Sequence, residues 1–91
     1  MTKQERQELV DDIEQRLDDK LDFELEYEID DYHENGTSIV DVDIDTSNTE
    51  DWPDNWDEQV EDVISEVVGD WGGWYSWDGW CISVSISDDD D

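Results

Sequence analysis

Positive charge is what this chain most lacks. It has four Lys and Arg against 31 Asp and Glu, which gives 91 residues a formal net charge of -27 at pH 7. Nucleic acid and anionic membranes repel such a chain, so its natural partners are basic proteins or cations. Cysteine is nearly missing as well. Cys81 alone closes no internal disulfide, which fits a reducing cytoplasm. No apolar run reaches transmembrane length, and the opening MTKQERQEL reads as a soluble helix start rather than a secretory segment. There is no Ser-x-Gly elbow, no Gly-rich phosphate loop and no Cys with a supporting His. No enzyme is expected. Zinc lacks a His/Cys cluster, and His33 stands alone beside a turn. Asp41-x-Asp43-x-Asp45 matches the opening of a calcium loop, but Thr46 stands where Gly is needed and Trp52 where Glu is needed. Neither metal nor cofactor is expected.

Low hydrophobicity with high net charge is the composition of disorder. Two features oppose it here: six Trp, three Tyr and one Phe, and apolar residues in periodic blocks. Thr2-x-x-Glu5 reads as a capping box, and Leu9, Val10, Ile13 and Leu17 recur at helical spacing, which predicts a helix over 3–20. The period then changes to two. Phe23, Leu25, Tyr27 and Ile29 alternate with Asp22, Glu24, Glu26, Glu28 and Asp30, predicting a half-buried strand. Asn35-Gly36 is a type I′ hairpin turn, and the return strand faces Val40, Val42 and Ile44 inward and Asp41, Asp43 and Asp45 outward. Pro53 and Asn55 mark the start of a second helix, with Trp56, Val60, Val63, Ile64, Val67 and Val68 on one face and Gly69 as its stop. Trp80, Ile82, Val84 and Ile86 then alternate with Cys81, Ser83, Ser85 and Ser87. Asp78-Gly79 could close a second hairpin with a short strand over 73–77.

The order is α-β-β-α-β, with or without a further strand. It implies an α+β two-layer sandwich: an antiparallel sheet of three to four strands with two helices on one face. Residues 1–87 form a single acidic domain, and 88–91 are expected to be a disordered tail.

Two constellations stand out. Asp22, Glu24, Glu26, Glu28, Asp30, Asp41, Asp43 and Asp45 form two adjacent rows of carboxylates on one sheet face. Acids along a strand repeat at about 6.7 Å, close to the direct spacing of successive phosphates, which is roughly twice the 3.4 Å rise per strand of B-DNA. A solvated face would mix Lys, Thr, Ser and Glu. Every alternate site from 22 to 30 is acidic instead, although like charges facing each other across strands are destabilising. The second constellation is aromatic. Trp80 and Trp56 are expected in the core, whereas Trp71, Trp74 and Trp77 divide between core and a partly exposed anchor patch.

On charge, length and carboxylate spacing the whole chain resembles the small acidic DNA-mimic proteins, best represented among phage-encoded inhibitors of restriction enzymes and CRISPR effectors. The resemblance implies a catalytically inert inhibitor, monomer or homodimer, acting in the host cytoplasm. Its partner would be a basic nucleic-acid-binding protein whose groove it occupies, without binding nucleic acid itself. Other readings stay open: an immunity protein or antitoxin against a basic nuclease, a halophile-adapted protein, or an acidic histone-type chaperone.

Overall fold

The computed structural model describes residues 3–47 and 49–87. Thr2 of the expected capping box and the tail 88–91 lie outside the described residues. Helix α1 (Lys3–Lys20) is followed by strands β1 (Tyr27–Glu34) and β2 (Thr37–Ile44), helix α2 (Trp56–Trp71), and strands β3 (Trp74–Asp78) and β4 (Cys81–Ser87). The sheet is antiparallel throughout, in the order β1-β2-β4-β3. Two hairpins therefore lie side by side, joined where β2 pairs β4. Both helices cover one face, as the two-layer expectation requires.

The chain contains no alanine, and the inward stripe of α2 is Val60, Val63, Ile64, Val67 and Val68. β-branched residues have weak helix propensity, so burial of that stripe is what holds α2 helical. These five side chains meet Leu9, Val10, Ile13 and Leu17 of α1, Val40, Val42 and Ile44 of β2, and Ile82, Val84 and Ile86 of β4. Phe23, Leu25, Tyr27 and Ile29 close the core at one edge.

Three boundaries differ from the sequence expectation. The first strand begins at Tyr27, not Phe23. Residues 22–26 keep the alternation of half-buried and exposed side chains, but β2 ends at Ile44 and offers them no ladder. One bond reaches further, from the Asp45 amide to the Glu26 carbonyl at 2.9 Å. Gly69 does not stop α2. The helix runs two residues further and is capped by Gly72, whose φ of 74° is left-handed. Asn55 occupies the N-cap position without capping through its side chain, which instead accepts a bond from Gln59 Nε2 at 3.1 Å.

The second hairpin turn is shifted by one residue. Asp78 pairs with Cys81, so the loop residues are Gly79 and Trp80. Only the first has positive φ, 63°, which is the pattern of a type II′ turn. The first hairpin is as expected, with Asn35 at φ 52° and Gly36 at φ 75° between the paired Glu34 and Thr37. Gly73 is a different case. It lies where β3 leaves α2, so close to β4 that a Cβ there would collide with the Ser85 carbonyl and the Ile86 side chain.

Candidate functional site

The helices cover only one side of the sheet, so the other side is a surface built from every second residue. Cross-strand register sorts that surface into rows. Asp45 continues the ladder against Glu26, Glu28 faces Asp43, and Asp30 faces Asp41. Six carboxylates thus form a two-by-three grid at the outer edge of the sheet. Paired residues across antiparallel strands lie about 4.5–5.5 Å apart and successive ones about 6.8 Å. Repulsion between two such charges is roughly 0.6 kcal/mol at 7 Å in water, before salt screening.

The rows continue into the second hairpin with different chemistry. Asp43 faces Cys81, which faces Asp78; Asp41 faces Ser83, which faces Ser76. Ser83 Oγ donates to Asp41 Oδ1 at 2.8 Å, fixing that carboxylate. Burial pushes the Cys81 thiol up to about 11, helped by its hydrogen bond to Asp43 and the charges of Asp43 and Asp41. Asp45 is held below the usual carboxylate range by the Ser47 hydroxyl and by the Ser47 amide, which donates at 3.0 Å. A third row is apolar at both ends: Tyr32, Ile39, Ser85 and Trp74. Tyr32 is 40% exposed and Trp74 53%.

Of the eight carboxylates expected in the ladder, Glu26, Glu28, Asp30, Asp41, Asp43 and Asp45 meet in this grid. Asp22 and Glu24 do not. They precede the strand and line a groove with Phe23, Asp51 and Trp52 that touches the grid only through Glu26. The three Trp residues are also dispersed. Trp71, at the end of α2, is half-buried against the core and donates its indole N–H to Asp12 at 2.9 Å. Trp77 faces the helices and packs against the core. Trp74 alone of the three is on the outer face, so they form no single patch. Trp80, expected in the core, is 55% exposed. It lies in the turn at the end of the sheet, on the helical side as parity predicts but at the margin of the cover that α2 gives, and rests on Trp56 with ring centroids 5.5 Å apart. Tyr32, Ile39 and Asp78 belong to the outer face and were missed. The Asn35-Gly36 turn fixes register, so counting back from it to Tyr32 and forward to Ile39 was the available signal.

Basic residues stay on the helical side. Arg6 pairs with Asp31 at 2.8 Å. Arg16 bridges Asp12 at 2.9 Å, Glu66 at 3.4 Å and Asp70 at 2.7 Å, and Lys20 reaches Glu66 at 2.8 Å. The contacts to Glu66 and Asp70 pin α1 to α2. Seven acids in α1, six in α2 and all four bases leave the helices at -9, whereas the described strands and loops carry fourteen acids and no base.

Among the described residues no three His, Cys, Asp or Glu side chains are arranged to hold a metal ion, and no helix is long and apolar enough to cross a membrane. Compared with protein-family models, curated proteins and solved structures, the chain matches none.

Proposed function

We propose that this protein is a non-catalytic DNA mimic that occupies the basic nucleic-acid groove of a host defence protein, either a CRISPR effector or a restriction enzyme. The observation that carries the reading is charge per length. The Cα envelope of the described residues measures 45 × 21 × 18 Å, in a chain whose formal charge is -27. Without the four aspartates of 88–91, 27 acids against 4 bases leave -23. Duplex DNA carries one charge per about 1.7 Å of axis, or about 26 over the same length. A basic channel evolved for DNA therefore meets a rod of similar linear charge, and releases similar counterions on binding it. The carboxylate grid is the part best placed to meet successive Lys and Arg side chains.

Action in the host cytoplasm is part of the same proposal, as is the absence of direct nucleic-acid binding. A second reading is an immunity protein for a basic nuclease, favoured by the restriction of basic residues to the helical side, which leaves one face of a single sign. Competition tests the first reading. A nuclease or CRISPR effector loaded with its DNA should resist this protein, and the free enzyme should bind it and then fail to shift DNA in a gel. Simultaneous binding of DNA and this protein to one target would overturn it.

A further inference from the structure

The turn between β3 and β4 forms one wall of an open groove of about 280 Å³, lined by Asp57, Glu58, Glu61, Trp77, Gly79 and Trp80. We propose that this groove seats an arginine side chain of the protein's basic partner, with the guanidinium stacked on the Trp80 indole and forked to the carboxylates of α2. The identity of the partner rests on the DNA-mimic reading; the groove's preference for a guanidinium does not.

Five observations converge. Trp80 is the most exposed large apolar residue described, 55% accessible, and nothing in a two-residue turn requires an indole. It is nonetheless held in place, 5.5 Å from the Trp56 ring, which meets Trp52 edge-on at 5.1 Å. A braced ring loses little rotamer freedom when a ligand stacks on it. Asp57 and Glu61 stand one helical turn apart and Glu58 lies three residues before Glu61, spacings at which like charges repel. The ion pairs of Arg6, Arg16 and Lys20 all go elsewhere, to Asp31 of β1, to Asp12 of α1 and to Glu66 and Asp70 of α2. An incoming cation relieves that repulsion. The helix N-terminus opposes it with about half a positive charge, small against three carboxylates. Glu61 is also oriented, accepting from the Tyr75 hydroxyl at 3.4 Å.

Arginine fits better than lysine because its planar group stacks on an indole face while presenting paired donors to carboxylates. A quaternary ammonium would use the indoles and leave the carboxylates without a donor.

The test needs no partner. The full chain, labelled with nitrogen-15, is titrated with N-acetylarginine amide while the Trp indole N–H signals are followed. The Trp80 and Trp77 signals should shift saturably in the millimolar range. The lysine analogue should bind several-fold more weakly, and the citrulline analogue, isosteric but neutral, should give no saturable shift. W80A should abolish the response, and D57N/E58Q/E61Q should weaken it about tenfold. Should W80A unfold, the triple variant, altered only at exposed positions, still decides the matter. An equal response to citrulline, or a response unchanged in the triple variant, overturns the proposal. So does the absence of any saturable shift at Trp80. None of these results touches the competition experiment, so the groove and the DNA-mimic reading fail separately.

Discussion

The two hairpins share an inside and differ outside. Inward, β2 presents Val40, Val42 and Ile44 and β4 presents Ile82, Val84 and Ile86, near-equivalent rows facing the same helices. Outward, the β1–β2 hairpin presents Glu28, Asp30, Asp41 and Asp43, whereas β4 presents Cys81, Ser83, Ser85 and Ser87. The core dictates the first likeness. Nothing in the fold dictates the second difference, since serines at the same pleat positions pair across strands without repulsion. The carboxylate grid is therefore a cost that packing does not require, and it is this cost that the proposed interaction surface would account for.

The largest effect should come from removing that difference. Changing Glu28, Asp30, Asp41 and Asp43 together to their amides should raise the melting temperature and weaken target binding by at least about a hundredfold, read by calorimetry and titration. Replacing Ser76 and Ser85 by Ala should alter neither by much. Similar losses from both sets would mean that the two hairpins contribute alike and that only bulk charge counts.

A backbone contrast sharpens the comparison next. Gly73→Ala should destabilise by roughly 1–3 kcal/mol, because the new methyl meets the Ser85 carbonyl and the Ile86 side chain at the open end of the second hairpin. Gly69→Ala, in a helix with open space around it, should stabilise by roughly 0.5–1 kcal/mol. Denaturant titration of both variants checks the pair.

Salt should act on the whole molecule but mostly through the acidic hairpin. Going from about 0.01 M to 0.5 M NaCl shortens the screening length from about 30 Å to a few Å and should raise the melting temperature by several degrees. The amide variant should show a flatter trend. A halophile-adapted chain would instead lose its fold at ordinary salt.

The smallest effect is local. The Cys81 thiol, raised from 9.0 to about 11, should react with iodoacetamide only slowly near neutral pH, and Asp43→Asn should speed it. With the folded value above the unfolded one, its contribution to stability is complete below pH 9 and disappears as pH rises through 11.

Much of this architecture is legible in the residue order, and the failures share one cause. Period-two alternation reports burial, not pairing. Phe23 to Ile29 alternates throughout, yet the segment becomes a strand only where β2 stands beside it. Trp80 continues the parity of Ile82, Val84 and Ile86, its carbonyl accepting from the Ile44 amide at 2.9 Å, but it sits in the turn after Gly79 at the end of the sheet, where the right face no longer means burial. Gly69 and Gly72 are indistinguishable as letters; only the second adopts positive φ. Spacing also could not reveal that Trp71 finds a hydrogen-bond acceptor in Asp12, 59 positions away. All six carboxylates of the grid were legible, because the Asn35-Gly36 turn sets which acids oppose which; the excess was Asp22 and Glu24, which alternate but have no partner strand.

The Arg16 and Lys20 bridges have an effect beyond joining α1 to α2. All four Lys and Arg lie in α1, and these bridges tie two of them down on the helical side, so the outer sheet face carries no Lys or Arg. A basic cleft that approaches that face meets no like charge to turn it away. Moving those cations to the outer face, at constant net charge, would slow association without changing the long-range attraction.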